Sequence, residues 1–349
     1  MESRLNAVLL AAGFGKRMQS ELPKVLHPLA GIPMIEHCLR TVAAVTSEPP
    51  VVVIGHGADQ VRQAVGDKAR FVLQREQLGT AHALQMAEAE LAGQDGLVLV
   101  TTGDMPLFKP ETFSQLVELQ RSNPGPISML SVVLADPHGF GRVIRAEDGS
   151  VRAIVEEAQA SPEVLAIREL NTSVYCFDNA WLWNALRQIK ISPKGEYYLT
   201  DIVAVAVEQG LTVQAHTVED PEEALGINTR QHLAEAAAVL RSRINERWLL
   251  AGVTMTDPDA AYIDADVKIG RETVLLPGTI LEGNTTIGTG CQIGPDVKIG
   301  NSRIGNNCRI SYTVIEDSFL PDGTTLGPFA HRRGSQADNP ADQPEKRKE

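Results

Sequence analysis

Near the start of the chain, Gly13-Phe14-Gly15-Lys16-Arg17 is followed shortly by Leu22-Pro23-Lys24. Glycines at this spacing let the backbone turn sharply and keep side chains away from its N–H groups. N–H groups in such a bend cradle phosphate oxygens. Arg17 adds a planar fork and Lys24 a point charge, both suited to phosphate. The loop is not a dinucleotide fingerprint, because the third glycine is missing. Nor is it a Walker A loop, because Gly15-Lys16 is followed by arginine rather than serine or threonine. Taken alone, the stretch also reads as an ordinary strand-to-helix turn with surface cations.

Positioning these residues requires a scaffold, and the flanking pattern supplies one. An apolar run over 5–10 has the length of one buried strand. Further strands are predicted over 51–54, 71–73 and 97–100, and helices from Pro33, over 58–65 and over 80–91. This alternation signals a largely parallel sheet with helices on both faces. Ligands bind beyond the carboxyl ends of such strands. The glycine loop, the 74–80 segment and Asp104 each follow a strand and should meet at one edge. Beyond them, strands over 127–134, 142–146, 151–155 and 169–177 read as more antiparallel, with helices over 181–189 and 198–207.

Asn228 precedes a long helical run to about residue 250, with Leu233, Ala237, Leu240, Ile244 and Trp248 as one apolar stripe. At ~1.5 Å per residue this is an arm of about 33 Å. From Ile263 the period changes. Ile269, Leu275, Leu281, Ile287 and Ile293 follow at six-residue steps, and the series runs on to Leu326 with a few steps of five. Glycine follows in several copies, at Gly270, Gly288, Gly294 and Gly300 among others. This is a hexapeptide β-helix repeat of about four three-sided coils. From His331 the pattern dissolves into a polar tail that reads as disordered.

Composition sets the bounds. The 349 residues suggest two domains or three, and 43% hydrophobic content supports real cores. A net charge of −12 argues against nucleic acid or a membrane surface as partner. No apolar run approaches the ~20 residues of a membrane helix, and the N-terminus lacks a signal-peptide layout. The four cysteines show no CxxC spacing and read as buried free thiols. Together these features point to a cytoplasmic protein.

The motifs, taken as an ordered set, carry a resemblance. Leu10-Ala-Ala-Gly-Phe-Gly-Lys-Arg-Met18, Leu22-Pro-Lys-Val-Leu-His27, Gln77-Leu-Gly-Thr-Ala-His82, Gly103-Asp104, Gly139-Phe-Gly-Arg142, Asn171-Thr172, Gly195-Glu-Tyr-Tyr-Leu-Thr-Asp201 and Gly226-Ile-Asn228 occur in this order. The chain resembles the bifunctional N-acetylglucosamine-1-phosphate uridyltransferase / glucosamine-1-phosphate acetyltransferase family of bacterial cell-wall synthesis over about residues 5–330. The resemblance implies an α/β nucleotidyltransferase domain with a Rossmann-like mixed sheet over 1–227 and a linker helix over 228–251. A short left-handed parallel β-helix over 252–330 and a disordered tail over 331–349 complete the expected chain.

The implied reaction joins UTP and N-acetylglucosamine 1-phosphate to give UDP-N-acetylglucosamine and pyrophosphate. The nucleophile is a phosphate already ionised at neutral pH, so neither a general base nor a covalent intermediate is required. The resemblance implies that Asp104 and Asn228 hold Mg²⁺, for which their hard oxygens are suited; the alternative is a strand-end turn at Asp104 and a helix cap at Asn228. Arg17 and Lys24 are the implied catalytic cations. Leu10, Ala11, Ala12, Gly13, Gln74, Gln77, Gly79 and Thr80 are implied nucleotide contacts, although a glutamine pair in a loop also reads as simply exposed. Gly141, Glu156 and Asn171 match the sugar contacts, and Asn228 counts with the substrate as well as the metal. Tyr197-Tyr198 reads as pocket wall or as core.

Three positions depart from the family pattern: Thr102 stands for a common tyrosine, Ser173 for glycine and Lys16 for threonine. The hexads stop near Leu326, where family members continue into coils that carry acetyl transfer, so that activity is expected to be absent. A homotrimer through the β-helix is expected. The competing readings are uridylyl transfer to another hexose 1-phosphate, such as glucose 1-phosphate, and a trimeric nucleotide-binding protein without turnover.

Overall fold

The apolar run at the start forms the strand Leu5–Ala11, buried from Asn6 onward. It lies inside a nine-stranded sheet ordered Val213–Thr217, Ile127–Val133, Glu169–Asp178, Leu97–Thr102, Leu5–Ala11, Val51–Ile54, Arg70–Leu73. The hairpin of Arg142–Arg145 and Val151–Val155 branches from Glu169–Asp178. These are features of a computed structural model, which describes residues 4–135, 137 and 139–334. The tail expected to be disordered lies outside the described residues from position 335 on.

Four strands from Leu97–Thr102 to Arg70–Leu73 run parallel. Glu169–Asp178 is antiparallel to all three strands it pairs with, which makes the sheet mixed. The register pairs Ala11 with Ile54, Ile54 with Leu73, and Leu10 with Thr102. The carboxyl ends of these strands are therefore level, and the loops after them open at one edge, as the alternation predicts. Thr80–Gln85, Asn179–Leu186 and Ile202–Glu208 pack on one face around Leu84, Leu182 and Val203. Met34–Ala43 and Ala58–Val65 pack on the other, around Leu39, Val52 and Val61.

Several elements differ from the sequence reading. Pro33 sits at the cap before Met34–Ala43 rather than in its first turn. The helix expected over 80–91 is two, Thr80–Gln85 and Glu88–Leu91, interrupted at Met86-Ala87. The segment expected to be helical from 198 opens with the 3-10 turn Leu199–Asp201 before Ile202–Glu208. The helix Pro110–Ser122 and the strand Val213–Thr217 were not anticipated. The first buries Phe113, Leu116 and Val117, and the second pairs in parallel with Ile127–Val133.

The chain divides into two compact units, one running to His27 and over Pro33–Leu233, the other comprising Pro28–Ile32 and the chain from Ala234 on. The division falls inside the helix Arg230–Leu250. That helix buries Ala236, Ile244 and Asn245, whereas Ala237 of the expected stripe is exposed and Leu233, Leu240 and Trp248 are half-buried. Asn245 holds the start of the second unit by donating from Nδ2 to the carbonyls of Pro258 (2.7 Å) and Ala261 (3.0 Å).

The hexad residues stack as expected in three parallel sheets, beginning with Thr254–Met255, Ala261–Ile263 and Lys268–Ile269. Ile269, Ile287, Ile304 and Leu320 fill one row of the interior. Some of the following glycines have a steric reason: a Cβ on Gly270 would lie 2.6 Å from the Gly288 carbonyl carbon, and one on Gly288 2.6 Å from that of Gly305. The ladder also outlasts the hexads. His331–Arg333, read from sequence as the start of a disordered tail, is a strand paired with Val314–Glu316. Its side chains are all exposed, so backbone pairing alone defines it and no apolar signal marks it.

Candidate active site

The level strand ends enclose a cleft of about 490 Å³. Its lining includes Leu10, Ala11, Ala12, Gly13, Lys24, Gln74, Gln77, Gly79, Thr80 and Asp104, so one edge gathers most of the nucleotide-side residues expected from the motifs. Phe14, Lys16, Thr102, Glu196 and Tyr198 also line it. Glu196 was missed as a site residue; its place within Gly195-Glu-Tyr-Tyr was the available signal.

The two loop glycines serve different ends. Gly15 is left-handed (φ 61°), and a Cβ there would stand 2.7 Å from the Cβ of Lys24. Gly15 thus lets the loop close against the turn Lys24–Leu26. Gly13 has no positive φ, and a Cβ there meets nothing within 4 Å. No contact inside the protein demands glycine at 13; the bare backbone faces the cleft.

The opposite wall is locked by backbone bonds. Tyr197 donates to the Leu78 carbonyl (2.8 Å) and accepts from the Ala81 N–H (3.0 Å), and Thr80 Oγ1 accepts from the Leu199 N–H (2.9 Å). Gly79 (φ 104°) permits this contact, since a Cβ would lie 2.5 Å from the Tyr197 oxygen. Gln74 is buried, and its Nε2 donates to the Gly79 carbonyl (3.1 Å) and faces His82 Nδ1 (3.0 Å). Gln77 Nε2 donates to the Gln74 carbonyl (3.3 Å). Neither glutamine is a freely exposed loop amide.

Asp104 and Asn228 converge because the Ile227 N–H donates to the Asp104 carbonyl (2.8 Å). Upstream, buried Glu223 accepts from the Lys109 N–H (3.0 Å) and Thr112 Oγ1 (2.6 Å), which pins the turn Pro221–Ala224. The Lys24 ammonium donates to Asp104 Oδ2 and, at 3.1 Å, to Asn228 Oδ1. Thr102 Oγ1 donates to the other Asp104 oxygen at 2.6 Å. Burial raises the Asp104 pKa, but the charge and hydrogen bond of Lys24, with the bond from Thr102, outweigh it and hold the carboxyl below its ordinary range. A carboxylate oxygen and an amide oxygen therefore already face one cation. That donor set suits a hard divalent cation whose remaining ligands are water and phosphate.

The remaining expected residues stand apart from this lining. Arg17 is exposed on the turn Lys16–Met18. Gly141, Glu156 and Asn171 form their own cluster: the Asn171 N–H donates to the Gly141 carbonyl (2.9 Å), and Glu156 accepts from Thr200 Oγ1 (3.0 Å). Asn171 Oδ1 accepts from the Ser173 N–H (3.1 Å) within an irregular register between Asn171 and Tyr175. Ser173 is left-handed there (φ 61°), a conformation that glycine adopts without strain.

A glycine loop at the carboxyl edge of a mixed sheet, followed in the chain by a left-handed parallel β-helix, defines a nucleotidyltransferase of the hexapeptide-repeat kind. Residues 7–171 match the MobA-like NTP transferase domain, a class that works with a divalent metal, and residues 266–301 match the bacterial transferase hexapeptide (six repeats). The chain is 45% identical over 328 residues to the bifunctional protein GlmU of an Exiguobacterium species, covering 94% of this chain and 73% of the relative. It is 45% identical over 330 residues to that of Caldanaerobacter subterraneus (94% and 72%), and 46% identical over 328 residues to that of Heliobacterium modesticaldum (94% and 72%). The chain belongs to the GlmU family. Because these relatives are named bifunctional, they lend no support to the expected absence of acetyl transfer. Among the described residues, no helix is long and apolar enough to cross a membrane.

Proposed function

We propose that the chain transfers the uridylyl group of UTP to N-acetylglucosamine 1-phosphate, releasing pyrophosphate, and so feeds cell-envelope synthesis in the cytoplasm. The observation that carries this reading is the Lys24 ammonium held between Asp104 and Asn228 beside the glycine-loop cleft. In this reading a sugar-phosphate oxygen attacks the α-phosphorus in line, the new P–O bond forms, and the bond to the β-phosphate oxygen breaks. Backbone N–H groups over 11–13 hold the triphosphate. Lys24 neutralises charge at the reacting phosphates and Arg17 at the departing pyrophosphate.

Gln74 and Gln77 fix the loop that meets the uracil, with Gly79 and Thr80 beside it. Gly141, Glu156 and Asn171 serve the sugar. Asp104 and Asn228 would hold Mg²⁺, which when bound would supply charge neutralisation at the phosphates. The stacked coils associate as a homotrimer.

Pyrophosphate release with Mg²⁺ tests the reading. N-acetylglucosamine 1-phosphate should exceed glucose 1-phosphate by roughly tenfold or more in kcat/KM, and Asp104→Ala should abolish release. Preference for glucose 1-phosphate would overturn the sugar assignment. No release with either sugar would overturn the activity.

A further inference from the structure

We propose that Lys24 is a built-in competitor for the divalent-cation site, so that the free enzyme keeps its own ammonium where the metal goes. The inference rests on Asp104 and Asn228 being the cation ligands. Both oxygens that would bind the cation, Asp104 Oδ2 and Asn228 Oδ1, accept from the same Lys24 Nζ. A divalent ion on those oxygens and an ammonium in hydrogen-bond contact with them repel each other, so the two cannot share the position.

The rest of the cluster suits an exchange. Thr102 holds the other oxygen of Asp104, so the carboxylate stays oriented when Lys24 leaves. The base of the lysine is held in the turn Lys24–Leu26, where the His27 N–H donates to the Lys24 carbonyl (3.3 Å). The remainder is a flexible stem whose head can move while the backbone turn stays in place. The Lys24 side chain is 14% exposed and lines the cleft, which gives the displaced ammonium a direction to go, toward anionic phosphates. Cation and nucleotide binding are then coupled through one side chain, with the reciprocity that linkage requires.

The test is equilibrium Mn²⁺ binding to the nucleotide-free, full-length protein, followed by the electron paramagnetic resonance of the unbound ion. Lys24→Met should bind Mn²⁺ tighter than wild type by roughly fivefold or more. Lys16→Met removes the same charge from the same cleft; its ammonium stands 5.4 Å over the Phe14 ring, and the substitution should leave the affinity within about twofold of wild type. Lys24→Gln, which keeps a donor for Asp104, gives the same readout if the methionine variant does not fold. Unchanged or weaker binding in the Lys24 variants, or equal tightening by Lys16→Met, would overturn the competition. Adding Asp104→Asn to Lys24→Met should remove the gained affinity. If it does not, the cation-site reading itself fails, which is a different outcome from failure of the competition.

Discussion

Adding a single methyl group to either glycine of the loop separates folding from ligand binding. Gly15→Ala places a Cβ on a left-handed residue (φ 61°), 2.7 Å from the Lys24 Cβ. Left-handed backbone costs an L-residue about 1–2 kcal/mol. The contact adds to this, because the Lys24 Cβ is attached directly to the backbone and cannot rotate aside. A loss of about 2–3 kcal/mol is expected, or about 5–10 °C in melting temperature for a domain of this size. Gly13→Ala meets neither obstacle: its φ is not positive and its Cβ has open space. Its stability should stay within about 0.5 kcal/mol of wild type.

The same Cβ occupies room beside the N–H groups that would hold the triphosphate. A charge-assisted hydrogen bond is worth about 1.5–3 kcal/mol, so kcat/KM for UTP should fall roughly 10- to 150-fold. Circular-dichroism melts and pyrophosphate release, run on both variants, give the two readouts. A Gly13→Ala enzyme with wild-type kcat/KM would refute the backbone cradle. Equal destabilisation by the two variants would refute the division of labour between the glycines.

Thr102→Val removes the hydroxyl on Asp104 while keeping the shape; kcat should fall roughly tenfold and Thr102→Ser should restore it, and wild-type turnover in the valine variant would exclude a positioning role. Ser173→Gly should raise stability by about 0.5–1 kcal/mol in urea denaturation by relieving a left-handed serine, with the bond from its N–H to Asn171 kept. His27 is buried, and burial first, then the charge of Arg230, lower its pKa from the ordinary 6.5. The unfolded state therefore binds a proton that the folded state refuses, and stability should decline as pH falls below 6.5. His27→Gln should flatten that decline in urea midpoints compared at pH 7 and pH 5; an unchanged slope would count against it.

What was legible in the sequence was local, and what was hidden was not. The hexads show because each coil repeats the same inward aliphatics, several of them followed by a glycine such as Gly270, where a Cβ would meet the Gly288 backbone. The parallel strands show because Val51–Ile54 and residues 97–100 are buried on both faces and read as continuous apolar runs. Pro110–Ser122 carries a local signal too, a proline in the first turn followed by Phe113, Leu116 and Val117 on one side. Val213–Thr217 and His331–Arg333 carried almost none, since only Val213 among their side chains is buried and backbone pairing defines both. The site divides in the same way. Its glycines and cations stand together in the chain, but the Ile227 bond that brings Asn228 to Asp104 joins segments remote in sequence. Thr102 is the sharpest case. By motif it is a missing tyrosine, and only the fold turns its hydroxyl onto the Asp104 carboxylate. A departure from a family pattern is therefore better judged by what the new side chain touches than by what the old one did.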